Sequence, residues 1–273
     1  MLNGFTVSLM LYGVTCCQTI QYYRFFPADR RSFKLLVAFI WLLDTAQQAL
    51  LTQAFWYYLI VLRYTKDTEA AYQANWSLIG QVAPTEICAM IVECFFISRI
   101  CILDARRRRI LLLLIPLTFS FFIFIVYIVK CYKLPDFVSA TRMQWLVGML
   151  GSLRAVIDLT IAGAMCHILY SHCPSDLTQR FSSLVKILMH YALTTGLFTS
   201  VLETLYVVVY LAMPSNMIYI AIYFVHGKIY VNSLLAALNS RKSLRALAEQ
   251  DIELQPVRFS LFQDVNLPHS HIH

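Results

Sequence analysis

The sequence predicts an all-α, polytopic membrane protein with seven transmembrane helices, its N-terminus outside and its C-terminus cytoplasmic. Three observations carry that reading. Only 14% of the 273 residues are charged while 59% are hydrophobic, whereas a soluble domain carries roughly a quarter charged residues. The charges gather between apolar segments of about twenty residues, the length of helix that crosses a bilayer core. Lysines and arginines also fall unevenly on the two sets of connecting loops. No stretch is left for a soluble catalytic module. The net charge of +7 follows membrane topology, so the bilayer is the expected partner and no nucleic acid is.

The helices follow in order, with residues 1–239 as the transmembrane domain. Residues 2–23 read as a retained first span, because no basic start and no small-residue cleavage site marks a secretory signal. The second span covers 35–61 and ends on Trp56, Tyr57 and Tyr58, aromatic residues suited to the membrane interface. Spans three to seven cover 78–98, 110–130, 143–169, 183–211 and 216–238. Pro27, Pro135, Pro174 and Pro214 punctuate the loops. Pro84 and Pro116 fall inside spans three and four, where a proline predicts a local kink.

Beyond Leu238 the chain turns polar. Residues 240–273 read as a cytoplasmic tail, amphipathic to about Glu253 with Leu244, Leu247 and Ile252 toward lipid, then disordered. The closing His269, His271 and His273 have no fixed geometry for a metal. The eight cysteines show no CxxC or CxxH spacing. No metal site and no cofactor is expected.

Orientation comes from the basic residues. Arg24, Arg30, Arg31 and Lys34 follow span one, and Arg99 and Arg106 to Arg109 follow span three. Arg180 and Lys186 follow span five, and Arg241, Lys242 and Arg245 follow span seven. The opposite loops hold only Arg63, Lys66, Lys130, Lys133 and Arg142. The richer side is the cytoplasmic one, and it suits the anionic inner leaflet of a plasma membrane and of an endomembrane alike. Asn75, in the sequon Asn75-Trp76-Ser77, then lies in an outer loop and is the glycosylation candidate.

Several ionisable residues sit deep inside these spans. Arg154 and Asp158 are four apart in "RAVIDLTIAGAM", too far from the inner end for the arginine to snorkel. Their spacing puts them on one helix face within reach of each other, so the pair is expected to neutralise itself and to face the bundle. Asp44, Glu86, Glu93, Glu203, His226 and Lys228 join them, with Glu203 expected near the outer interface. Five deep acids stand against two deep bases, Arg154 and Lys228. At least one acid is therefore expected to be protonated, or to face water or a cation. Asp44, Glu86, Glu93, Arg154, Asp158, His226 and Lys228 are the candidates for a polar core or ligand site. A network that only locks helices together is the structural alternative.

Three stretches carry a recognisable pattern: "LYGVTCCQTIQYYRFFPADRRSFKLLVAFIWLLDT" (11–45), "RAVIDLTIAGAMCHILY" (154–170) and "HGKIYVNSLLAALNSR" (226–241). The chain resembles the large basidiomycete family of seven-helix membrane proteins that ends in a fungal domain of unknown function. That domain would cover about 150–241. Tyr12, Gly13, Gln18 and Tyr23 match the first-helix pattern, Asp29 and Arg30 the loop after it, and Asp44 the second helix. Asp158 matches in the fifth helix, and Lys228, Tyr230, Asn232, Leu235 to Asn239 and Arg241 in the terminal signature. The resemblance implies membrane residence and topology. It brings no established activity.

Three functions compete. A receptor-like or sensing bundle binds a small hydrophobic metabolite in the polar interior. Span three lacks D-R-Y and span seven lacks N-P-x-x-Y, which weighs against a G-protein-coupled receptor of the familiar kind but not against sensing in general. A membrane-embedded lipid- or isoprenoid-modifying enzyme, such as a cyclase, uses Asp44, Glu93 or Asp158 as a buried proton donor. No nucleotide loop and no Asp-rich diphosphate box accompanies them. A proton- or cation-coupled transporter uses the same acids, but no internal repeat supports it.

Overall fold

A computed structural model describes residues 1–61, 64, 75–103, 114–133, 144–171, 179–213 and 218–265. Side chains are described for the same segments except 102–103, 144, 168–195 and 242–265. The described residues are helical with no strand. A bilayer core offers backbone N–H and C=O groups no water, and a helix satisfies them within one segment.

The helices are α1 (Leu2–Phe25), α2 (Arg31–Trp56), α3 (Trp76–Gly80), α4 (Val82–Leu103), α5 (Leu114–Lys133), α6 (Gln144–Ser171), α7 (Gln179–Ala212) and α8 (Ile218–Val265). A π-helical turn, Tyr57–Val61, extends α2. Five segments are long and apolar enough to cross a membrane: Arg31–Val61, Trp76–Cys101, Leu114–Lys133, Trp145–His167 and Ile218–Arg241. The chain is a multi-pass helical membrane protein. Gly196–Ala212 is a shorter apolar stretch within α7. Arg106 to Arg109, Arg63, Lys66 and Arg142 lie outside the described residues, as do the histidines at the end of the chain.

Proline chemistry explains one break. The third span is interrupted at Gln81, between α3 and α4. Pro84 has no N–H to give the Gly80 carbonyl at the end of α3, and one residue on the Thr85 hydroxyl donates to the Gln81 carbonyl at 2.8 Å. Asn75 opens α3 as its cap, its side-chain oxygen accepting from the Ser77 N–H at 3.3 Å. Pro116 lies within α5, two residues after the first described residue of that helix, Leu114. At the far end, α8 continues as one helix of 48 residues to Val265.

Packing runs inside-out relative to a soluble protein. Large apolar side chains are exposed around the rim, among them Met10 (67%), Ile20, Leu35, Phe122, Val156 and Val201. Such an apolar surface needs lipid rather than water around it. Asp44 and Lys228 are 0% exposed, and Glu86, Glu93, Arg154, Asp158, Glu203 and His226 are buried as well. Along α2 and α8, Asp44, His226 and Lys228 lie between two apolar clusters, while Glu93 and Asp158 sit among residues of the larger one. The larger includes Val37, Ile40, Ile97, Ile100, Leu234 and Leu238; the other is built on Leu51, Ala54, Leu78 and Phe224. In α2 and α8 alike, the charged residue falls between the positions that feed the two clusters.

The registers define the topology. α6 and α7 run antiparallel, with Gly196 close to Ala162 and Gly148 close to Leu211. α7 and α8 are also antiparallel: Glu203 meets His226, Tyr206 meets Tyr223 and Tyr210 meets Tyr219. α1 and α8 are parallel. The Asn232 amide donates to the Leu11 carbonyl at 3.1 Å, and the Asn239 amide to the Gln18 carbonyl at 2.8 Å. Both steps are seven residues, two turns of a single contact face. At the start of this seam a Cβ on Gly4 would come within 2.7 Å of the Ala221 backbone, so only glycine lets the helices approach there.

Candidate functional site

α8 brings the polar residues together because it packs against α1, α2, α4 and α7. A helix surrounded this way has no lipid-facing side along its centre, and Phe224, Lys228, Leu234, Leu235 and Leu238 are fully buried. Gly227 makes the contact close: a Cβ there would lie 2.6 Å from the Thr85 side chain on α4. His226 and Lys228, on either side of it, point to different partners.

Lys228 binds α2. Its Nζ donates to Asp44 Oδ1 at 2.7 Å and to the Asp44 carbonyl at 3.1 Å. The ring of Tyr12, from α1, lies 5.1 Å from the same nitrogen, within cation–π range. His226 Nε2 stands 2.9 Å from Glu203 Oε2 on α7. Its ring meets the Tyr230 ring edge-on at 4.9 Å between centroids.

Arg154 does not pair with Asp158. Its guanidinium binds two carboxylates of α4, Glu86 through Nη1 and Glu93 through Nη2, the latter at 3.4 Å. Glu86 and Glu93 are two helical turns apart and flank the arginine. Asp158 turns toward α7 and α8, where Oδ2 accepts the hydroxyls of Thr199 at 2.8 Å and of Tyr230. The expectation of a self-neutralising pair is therefore corrected. Four residues apart is still about 40° around a helix, enough for each side chain to reach a different neighbour. Two carboxylates also outweigh one for a buried guanidinium.

Glu203 is buried between helices, 5% exposed, against His226. Tyr223, Tyr230 and Thr199 enter the network without having been singled out for it as polar residues. Tyr223 donates to Glu86 Oε1 at 3.0 Å. The spacing held a signal: Tyr223, His226 and Tyr230 repeat at three and four residues, and so share one face. Thr199 and Glu203 share one face of α7 for the same reason.

Beside the Asp44–Lys228 pair, between α1 and α2, a cavity of about 530 Å³ opens to the side of the bundle. Tyr12, Thr45, Gln48, Thr52, Gln53 and Trp56 line it. Tyr12 and Thr45 hydroxyls are 3.0 Å apart, so the tyrosine that covers Lys228 is also a wall of this groove. Gln48 is 5% exposed and accepts from Ser8 through Oε1 at 3.2 Å. Its Nε2 has no hydrogen-bond partner among the described residues.

The residues of the terminal pattern meet each other in space. Arg241 binds Asp29 at 2.7 Å, Asn232 and Asn239 hold α1, Lys228 holds Asp44 and Tyr230 holds Asp158. No curated protein and no solved structure matches this chain. Residues 154–243, the segment running from Arg154 through α7 to just past Arg241, match a family of unknown function (DUF6534), which is what the C-terminal segment of this membrane protein is similar to.

Proposed function

We propose that the chain is a receptor-like, sensing bundle that binds a small hydrophobic molecule through the groove between α1 and α2. The carrying observation is a ligand-sized groove, within the usual 300–1,000 Å³ range, that lies against a buried ion pair. Its exposed wall is mainly apolar, which suits a hydrophobic molecule, and the Tyr12 and Thr45 hydroxyls stand at its edge as polar contacts. A ligand seated there touches Tyr12, whose ring rests on Lys228. Occupancy is thereby transmitted to the Asp44–Lys228 link between α2 and α8.

All seven long helices cross the bilayer in this reading, N-terminus out and C-terminus cytoplasmic. The parallel α1 and α8 support an odd number of crossings. α1 is less apolar than the other spans because Ser8, Thr15 and Thr19 are buried against the bundle. Its exposed face, with Val7, Leu9, Met10 and Val14, is apolar. Protease protection of tags at the two ends tests this orientation.

Native mass spectrometry of the purified protein tests the binding. Wild type is expected to carry a lipid-soluble small molecule, and Ala49→Trp, which fills the groove from an exposed position, is expected to lose it without a fall in unfolding temperature. A wild-type protein with no such adduct, or an Ala49→Trp variant that keeps it, contradicts the reading and leaves the helix-locking network in its place.

A further inference from the structure

At the other end of the bundle, two arginines share one aromatic ring. Arg99, on α4, has its guanidinium carbon 4.9 Å from the Phe95 ring centroid and 5.4 Å from that of Phe33. Arg241, on α8, lies 4.5 Å from Phe26 and 6.0 Å from Phe33. The two are near enough to repel each other. Both are half-buried between α1, α2, α4 and α8, where repulsion is screened less than in open water.

Among the described residues, only one of them has a counter-charge. Arg241 Nη2 binds Asp29 Oδ2 at 2.7 Å, and the same oxygen also accepts from the Tyr22 hydroxyl at 3.0 Å. Arg241 Nε is used on the Leu238 carbonyl at 2.9 Å. Arg99 has no carboxylate within ion-pair distance among the described residues. Arg24, Arg30 and Arg31 are exposed on this same end, and Asp29 is the one acid described there. The Phe33 and Phe95 rings hold the Arg99 guanidinium by cation–π contact, and its donors have no hydrogen-bond partner among the described residues.

We propose that the notch between Arg99 and Arg241 over Phe33 binds the phosphate of an anionic membrane lipid. A guanidinium edge matches phosphate oxygens in a bidentate fashion. Position selects the source: α1 ends at Phe25 and the third apolar span at Cys101, so the notch lies where a span leaves the apolar core and lipid phosphates reside. The phosphate neutralises Arg99, relieves its repulsion with Arg241 and ties the end of α4 to α8. This site is separate from the groove between α1 and α2, and neither proposal depends on the other.

The test uses the full chain in phosphatidylcholine nanodiscs, titrated with phosphatidic acid and, in a second arm, with inorganic phosphate. Retained lipid is counted by native mass spectrometry, and the unfolding temperature is followed in parallel. Phosphatidic acid is expected to bind and to raise the unfolding temperature, while inorganic phosphate does neither. Arg99→Gln is expected to weaken lipid binding about fivefold, the attraction of one surface cation, with Arg99→Lys between it and wild type. Arg31→Gln, exposed and away from the Phe33 ring, is expected to change it less than twofold. Equal loss from Arg31→Gln and Arg99→Gln shows diffuse surface charge and overturns the site. Equal protection by inorganic phosphate overturns the lipid as its ligand. Should Arg99→Gln unfold in pure phosphatidylcholine, Arg99→Lys decides: unchanged binding there overturns the bidentate fit.

Discussion

Arg154 decides how the buried charges should be read. A lone arginine at mid-membrane costs about 3 kcal/mol on insertion scales, yet here Glu86 and Glu93 hold it from α4 while Tyr223 completes Glu86. Asp158, its neighbour in sequence, takes neutral hydroxyls instead. The presence of interior charge was legible in the sequence, because full charges inside apolar runs leave few alternatives. Their partners were not. Partner choice depends on where α4 and α7 stand around α6, which spacing along one helix does not encode. Double-mutant cycles in detergent follow from the geometry. Arg154→Leu with Glu86→Leu is expected to show coupling of about 2–3 kcal/mol, and Arg154→Leu with Asp158→Leu under about 1 kcal/mol. A reversed order restores the pairing within α6.

Between elements, close approach sets the geometry. Gly227 lets α8 meet Thr85 of α4, and Gly4 lets α1 meet the backbone of α8 at Ala221. Gly13 has nothing near its Cβ position. Overpacking a tight interior costs typically about 1–3 kcal/mol, so Gly227→Leu is expected to lower the unfolding temperature clearly. Gly13→Ala, which removes a glycine from a helix interior, is expected to leave it unchanged or raise it slightly. A silent Gly227→Leu disproves the close contact. Helix positions were largely readable, because an apolar run of bilayer length declares itself: the expected 35–61 is Arg31–Val61 as a span. The first helix was harder, since the polar residues that bind it to α8 and α2 dilute its hydropathy. The break at Gln81 was foreshadowed by Pro84.

For the whole molecule, the rim is apolar and the charged residues are buried between the helices, with apolar clusters packed around them. Van der Waals packing alone gives helices in lipid little reason to choose one register, and ion pairs across the bundle supply that choice. Lys228 and Asp44 stand 184 residues apart in the chain, and their pair joins α2 to the last helix. The sequence placed both residues inside the membrane and matched both to one pattern, but the link between them needed the parallel docking of α8 on α1. A thermal-unfolding cycle of Asp44→Leu, Lys228→Leu and the double variant tests it most directly. Each single change, leaving one charge buried without its partner, is predicted to cost about 3–5 kcal/mol, and the double variant to recover most of that. Single losses that simply add in the double variant would contradict the pairing of buried charges on which the account rests.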